Sequence, residues 1–282
     1  MRRVVLLGSP VAHSLSPVIQ NTAFEVSGLD WCYEAIETDV EGLEPALQRM
    51  RADAWPGANV TIPLKEAVLP LLDELDPSAA DVSAVNTIAN EAGRLVGYNT
   101  DSLGFVRDLR AHWRVPGHGV AVILGAGGAA RAVAVGLARQ GLELLLVSRS
   151  KKRGEILADD IRRKHAGEVS VVPWDGESFA RVPDHCVLIV NATPLGMAPA
   201  DQDSPWPAEV PLPPGAAVYD LVYTSKETRF QRYARQSGLQ SMPGSGMLLE
   251  QGALSYERWT GRRAPRRQMR AALHRALERL YA

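Results

Sequence analysis

The stretch that most limits what this chain can become lies near its middle. Val120-Ala-Val-Ile-Leu124 is an apolar run of buried-strand type, and it leads directly into Gly125-Ala-Gly-Gly-Ala-Ala130. From Arg131 to Gln140 apolar residues recur at helical spacing, and a second apolar run, Leu142 to Val147, closes a β-α-β unit. Glycines at such a joint let the chain turn tightly off the strand and bring backbone N–H groups close to a phosphate. The helix N-terminus behind them adds a favourable dipole. Gly125, Ala126, Gly127, Gly128 and Ala129 thus form a variant of the dinucleotide fingerprint, with Ala130 where a third glycine often stands. A glycine-rich turn with no ligand is the bland alternative, and the correct flanks count against it.

The segment after the second strand sharpens this reading. An acidic residue there would hold a ribose 2′-hydroxyl, but the chain reads Ser148-Arg149-Ser150-Lys151-Lys152-Arg153. Ser150 is expected to cap a helix from Lys151 to His165. The three cations in its first turn oppose the helix dipole at about 0.3–1 kcal/mol each. Charge placed against a local rule suits a 2′-phosphate, with Ser148, Arg149, Ser150 and Arg153 around it, so the expected cofactor is NADP. A solvated charge run is the competing account.

Composition excludes several function classes. With 282 residues the chain has room for two domains, and a net charge of −1 gives no global attraction for nucleic acid or an anionic membrane. Only the amphipathic segment from Arg262 to Arg279 is locally basic. Cys32 and Cys186 are far apart and have no metal-ligand spacing, so no metal site is expected, and a reduced, cytoplasmic setting is the simplest one. The opening Arg2-Arg3-Val-Val-Leu-Leu-Gly8 is too short an apolar run for a signal peptide, and no stretch approaches membrane-spanning length.

Along the chain, strands are expected at 3–7, 31–37, 58–61, 85–89 and 95–98, with helices from Ser16, from Val40 and after Pro63. Ser16 is read as an N-cap with Pro17 in the first helical position. Asn99-Thr-Asp101 opens another helix, 102–113. Further parallel strands are expected at 170–173, 187–191 and 217–222, and two helices broken by Gly261 follow Gly244. Asp201 to Pro214, rich in Pro, Asp and Ser, is read as a surface loop.

Lys65 and Asp101 are the candidates for proton transfer, since each falls just after a strand at a helix start. Alone, each has an ordinary reading: a surface lysine and an N-cap. Likewise Ser14 and Ser16 fit turn and cap roles, and Asn59, Thr61, Asn86 and Thr87 fit the satisfaction of backbone groups at strand ends.

Jointly these residues resemble one family. Ser9-Pro-Val-Ala-His-Ser-Leu-Ser-Pro17, Gly57-Ala-Asn-Val-Thr-Ile-Pro-Leu-Lys65, Ala84-Val-Asn-Thr87 and Gly97-Tyr-Asn-Thr-Asp101 are similar, in order and spacing, to blocks of the shikimate dehydrogenase family. So are Gly125-Ala-Gly-Gly-Ala-Ala-Arg131, Asn191-Ala-Thr-Pro-Leu-Gly-Met197, Tyr219-Asp-Leu-Val-Tyr223 and Gly246-Met-Leu-Leu-Glu-Gln251. The resemblance implies an α/β fold: an N-terminal α/β substrate-binding domain, residues 1–103, completed by C-terminal helices 243–282 that pack back on it. Residues 104–242 would be a Rossmann-type NADP-binding domain.

The resemblance further implies reversible NADP-dependent reduction of 3-dehydroshikimate to shikimate, with Lys65 and Asp101 as the acid/base pair. Ser14 and Ser16 would hold the substrate carboxylate. Asn59, Thr61, Asn86, Tyr223 and Gln251 would surround the ring hydroxyls, and Thr193, Leu221, Gly244 and Met247 would border the nicotinamide. Monomers and homodimers both fit. Gln20, Ser83, Pro194 and Ser225 depart from the family pattern. Two rivals remain: a quinate/shikimate dehydrogenase of broader use, and a non-catalytic sensor of a shikimate-like ligand and NADP.

Overall fold

The computed structural model describes residues 1–165, 167–197, 200–224 and 226–280. Ser225, one of the departures noted above, lies outside them. The chain forms two compact units, Met1–Gly104 with Leu248–Leu280, and Phe105–Met247. Both divisions fall inside helices.

The first unit opens with β1 (Arg2–Gly8), whose Val4 to Leu7 are almost wholly buried. It continues with α1 (Ser16–Val26), β2 (Trp31–Glu37), α2 (Val40–Ala52), β3 (Gly57–Val60) and a one-turn helix α3 (Leu64–Ala67). β4 (Glu74–Leu75), α4 (Pro77–Val82), β5 (Thr87–Glu91) and β6 (Arg94–Tyr98) follow, and then α5 (Asp101–His112). The six strands lie in the order β2-β1-β3-β5-β6-β4. β1 pairs parallel with β2 and β3, while β5 pairs antiparallel with β3 and β6. Under one face Leu7, Leu43, Leu47, Met50, Trp55 and Ile88 form a continuous core.

The second unit carries β7 (Val120–Leu124), α6 (Gly128–Ala138), β8 (Glu143–Ser148), α7 (Lys151–His165) and β9 (Val169–Pro173). α8 (Gly176–Ala180), β10 (Cys186–Asn191), β11 (Ala217–Asp220), α9 (Arg229–Gln236) and β12 (Ser241–Pro243) complete it. All its strand pairs are parallel, in the order β12-β11-β10-β7-β8-β9. The chain therefore reverses its direction of travel across the sheet between β7 and β10. In open α/β sheets, ligands bind off the strand C-termini at that switch point.

α10 (Ser245–Thr260) and α11 (Arg266–Leu280) end the described chain. From Leu248 on they belong to the first unit. There Trp259 donates its indole N–H to the Ile88 carbonyl at 2.9 Å, Tyr256 donates to Ser27 at 2.6 Å, and α11 packs on α1.

Two sequence expectations need correction. Ser16 is not the cap of α1 but its first residue. Leu15 stands at the cap position with no side-chain cap bond, and it is Ser14 Oγ that accepts the Ser16 N–H, at 3.2 Å. The hydroxyl two residues upstream of the first free N–H is better placed to fold back than one already on the helix. The stretch 201–214 is also more than a surface loop. Trp206 is 1% exposed, packs edge-on against Phe179 at 5.0 Å and donates to the Val210 carbonyl at 2.9 Å. Among the described residues no helix links β10 to β11, so Trp206, Val210 and Leu212 cover the sheet where a crossover helix would otherwise lie. Polar composition along the loop hides these anchors.

Candidate active site

In the first unit, strand ends bring distant side chains together. Lys65, in α3, donates to Asp101 Oδ2 at 2.6 Å, and the two side chains are 15% and 6% exposed. Asp101 does not cap α5. Asn99 Oδ1 takes that role by accepting the Ser102 N–H at 3.2 Å, which leaves the carboxylate aimed at Lys65. On its other oxygen Asp101 accepts from Asn86 Nδ2 at 2.9 Å.

The Asn86 amide has one allowed orientation. Its Oδ1 accepts the Thr100 backbone N–H at 2.8 Å, and a backbone N–H can only donate. Nδ2 must therefore point to Asp101. Asn59 is fixed the same way, because its Nδ2 donates to the Asn86 carbonyl at 2.8 Å and its Oδ1 accepts from Tyr33 Oη at 2.7 Å. Gln251, from α10, places Oε1 3.3 Å from Asn86 Nδ2 and donates through Nε2 to the Leu248 carbonyl at 2.8 Å.

Tyr33 and Ser255 were not singled out by sequence reading, yet both belong to this network. Tyr33 is 2% exposed, and burial pushes its phenol well above the usual tyrosine range, while a hydrogen bond with Ser16 works the other way. Ser16, Tyr33 and Asn59 thus form one chain of contacts. Alternation along β2 could have flagged Tyr33 as inward-facing, but nothing local marks its hydroxyl as part of a site. Thr61 is half-buried at the end of β3, its methyl against Gly8. Ser14 is half-buried and lines a groove with Val18, Arg275 and Arg279.

In the second unit, the β7–α6 turn has the features a dinucleotide phosphate requires. Gly125 adopts φ +115°, a conformation that disfavours any side chain, and a Cβ there would lie 3.1 Å from the Ala192 carbonyl oxygen. α6 starts with no side-chain cap bond and no acidic residue in its first turn, so its first N–H groups are open to an anion. The methyl group of Thr193 stands over Gly125, and its hydroxyl donates to Asn191 Oδ1 at 2.7 Å. Pro194 follows it, and Leu195 donates its N–H to Thr193 Oγ1 at 3.2 Å, so the bend closes without an N–H at position 194.

At the end of β8, Ser148 and Ser150 form a local turn, Ser150 N–H to Ser148 Oγ at 3.3 Å. Ser150 Oγ accepts the Arg153 N–H at 3.3 Å, the expected cap of α7. Arg149, Lys151, Lys152 and Arg153 are exposed, and their side chains have no partner among the described residues. Four unpaired cations beside an open helix N-terminus fit a phosphorylated ribose. Past β11, the Leu221 carbonyl runs so close to Gly244 that a Cβ there would lie 2.1 Å from its oxygen. Met247 is buried, and Tyr223 is half-buried three residues beyond β11.

Sequence reading also passed over Asp220. It is wholly buried and accepts from Asn191 at 2.8 Å, Thr228 at 2.6 Å and the Val222 N–H at 3.1 Å. Burial pushes its carboxyl up to about 6, against the pull of those hydrogen bonds. Among the described residues there is no group of metal ligands and no helix long and apolar enough to cross a membrane.

Known proteins resemble this chain in sequence and fold. Residues 6–88 match the shikimate dehydrogenase substrate binding domain, and residues 244–274 match the shikimate 5'-dehydrogenase C-terminal domain. A relative from Symbiobacterium thermophilum, shikimate dehydrogenase (NADP(+)), is 46% identical across 97% of this chain and 94% of its own. The chain belongs to the shikimate dehydrogenase family. A solved family structure, the Thermus thermophilus shikimate 5-dehydrogenase in complex with NADP(H) and shikimate, is 42% identical with a TM-score of 0.86. It covers 98% of this chain and 100% of its own. Substrate use varies on the same fold. Quinate dehydrogenase from Corynebacterium glutamicum, in complex with NAD, is 29% identical with a TM-score of 0.86, over 96% of this chain and 98% of its own.

Proposed function

We infer that this chain is an NADP-dependent shikimate dehydrogenase, which reduces 3-dehydroshikimate to shikimate reversibly. The observation that carries the reading is the Lys65–Asp101 pair, held at 2.6 Å and nearly excluded from water in the unit that matches the substrate binding domain. On this reading the first unit binds substrate and the second binds NADP, which supplies or accepts the hydride.

The chain's own groups supply the proton and the geometry. Asp101 meets Asn86 on one oxygen and Lys65 on the other, so the carboxylate fixes the position of the amine. One Lys65 N–H is committed to Asp101, and the others are available to the oxygen at the reacting carbon. In reduction Lys65 protonates that oxygen as it gains charge. In oxidation the proton moves the other way: Lys65, as the neutral amine, takes it from the hydroxyl while Asp101 keeps the amine oriented. Ser14 and Ser16 hold the carboxylate at the start of α1, whose dipole favours it. Asn59, Thr61, Asn86, Tyr223 and Gln251 orient the ring. Residues 125–129 would hold the phosphates, Ser148, Arg149, Ser150 and Arg153 the 2′-phosphate, and Thr193, Leu221, Gly244 and Met247 would border the nicotinamide. The two cysteines are free thiols, in keeping with a cytoplasmic enzyme, and light scattering separates monomer from homodimer.

Following nicotinamide absorbance while shikimate and quinate are each crossed with NADP and NAD tests the reading. Turnover is expected with shikimate and NADP, and at least tenfold lower kcat/KM in the other three combinations. Comparable rates with quinate or NAD would replace it with a broader dehydrogenase. Binding of shikimate and NADP with no turnover would replace it with a sensor.

A further inference from the structure

Beneath Asn59 and Asn86 lie three buried hydroxyls from three separate elements: Thr87 on β5, Thr100 just before α5, and Ser255 on α10. Thr87 and Ser255 are wholly buried, and their oxygens are 2.8 Å apart. Thr100 Oγ1 lies 3.2 Å from Ser255 Oγ and 3.3 Å from Thr87 Oγ1. No ligand role has been given to Thr87 or Ser255 above, yet the protons of the site can be traced only through them.

With the two amides fixed by their partners, the hydroxyls supply the acceptors for the carboxamide hydrogens. Asn86 Nδ2 has two hydrogens, for Asp101 Oδ1 and Thr100 Oγ1, both at 2.9 Å. The second hydrogen of Asn59 Nδ2 meets Thr87 Oγ1 at 3.0 Å and Ser255 Oγ at 3.1 Å, and the Thr87 hydroxyl reaches Asn86 Oδ1 at 3.0 Å and Ser255 Oγ at 2.8 Å. Ser255 donates to the Gln251 carbonyl at 3.0 Å, which leaves its oxygen to accept from Thr87 at 2.8 Å or Thr100 at 3.2 Å. Asn86 has no third hydrogen for Gln251 Oε1 at 3.3 Å, so that oxygen stays open to accept from a hydroxyl of the bound ring.

We propose that Thr87 and Ser255 are positioning residues that hold the Asn59 and Asn86 carboxamides, and through Asn86 the Asp101 carboxylate, in the geometry needed for turnover. The proposal rests on the acid/base reading of Lys65 and Asp101. An incompletely restrained polar network in a dry site lets its members sample other partners, and small displacements of a reacting group are costly in rate.

Thr87→Val keeps the shape of the side chain and removes the hydroxyl, whereas Thr87→Ser keeps the hydroxyl and removes the methyl. The expected result for Thr87→Val is a roughly tenfold fall in kcat for shikimate oxidation with KM for NADP unchanged. Thr87→Ser should recover most of the loss, and Ser255→Ala should lose roughly threefold. Wild-type kcat in Thr87→Val, or equal losses in Thr87→Val and Thr87→Ser, would overturn the proposal. The same variants are also titrated calorimetrically with shikimate, to cover a wild-type protein that binds shikimate without turnover. In that case the acid/base reading fails by itself, and the hydroxyl cluster stands only if Thr87→Val weakens binding severalfold and Thr87→Ser restores it.

Discussion

The two units prepare for their ligands in opposite ways. In the first, polar side chains at strand ends are bonded to one another: Lys65 to Asp101, Asp101 to Asn86, Asn59 to Tyr33. In the second, groups are left without partners among the described residues: the first N–H groups of α6 and the cations at Arg149, Lys151, Lys152 and Arg153. The difference follows from what each must do. A reacting centre depends on angles and distances, which only mutual restraint inside a dry site can hold. A phosphate needs donors and positive potential, and an exposed helix start with flexible cations supplies both without tight geometry. Substitutions in the first unit should therefore act mainly on kcat, and those in the second mainly on cofactor KM.

Lys65→Met gives the largest expected effect. It preserves the length of the side chain and removes its proton and charge. With Lys65 as the acid/base, kcat should fall by about 10³-fold or more, within the range for loss of a general acid. Shikimate affinity measured calorimetrically should stay within severalfold of wild type, because the other contacts to the ring remain. A kcat reduced less than tenfold would remove Lys65 from the chemistry and erase the contrast between the units.

Arg149→Ala addresses the other side. Arg149 is exposed and has no partner among the described residues, so stability should be unaffected. The loss of a charge-assisted contact to a 2′-phosphate is worth about 1.5–3 kcal/mol, or roughly 10- to 150-fold in KM for NADP. The KM for NAD should stay the same, and so should kcat at saturating NADP. Equal losses with NADP and NAD would mean that Arg149 does not face the 2′ position.

The same contrast decides what could be read from the chain before folding. The second unit's site is local in sequence: a strand, a glycine turn, a helix start and a basic segment within 34 residues, 120 to 153. Periodicity therefore located β7 and β8, and the 151–165 helix, to within a residue or two. The first unit's site is assembled from positions 14 to 255, and no local pattern connects Asn59 to Ser255 or Asn86 to Gln251. Only the family resemblance joined Lys65 to Asp101 in advance. Tyr33 and Ser255 escaped because a tyrosine in a strand and a serine in a helix are ordinary residues until their neighbours are known. Trp206 was misjudged for the converse reason, an apolar anchor inside a polar loop.

The smallest effect tests whether the second unit too contains a restrained polar group, away from its open ligand surface. Asp220 is buried and held by three donors, but with its carboxyl pushed up to about 6 its ionised form is still disfavoured in the folded state. A carboxyl with a raised folded pKa stabilises the fold fully below its unfolded value, near 3.9, and this contribution is lost as pH rises through the folded value. Between pH 5 and pH 7.5 the wild-type protein should lose about 1 kcal/mol from this source. Asp220→Asn cannot titrate. Its destabilisation relative to wild type, read from urea midpoints at unchanged m, should therefore be larger at pH 5 and shrink by about 1 kcal/mol at pH 7.5. A difference that does not vary with pH would mean that the three hydrogen bonds hold Asp220 ionised throughout. The second unit would then restrain its buried carboxylate just as the first restrains Asp101, and the contrast between the units would be confined to the groups that meet ligand.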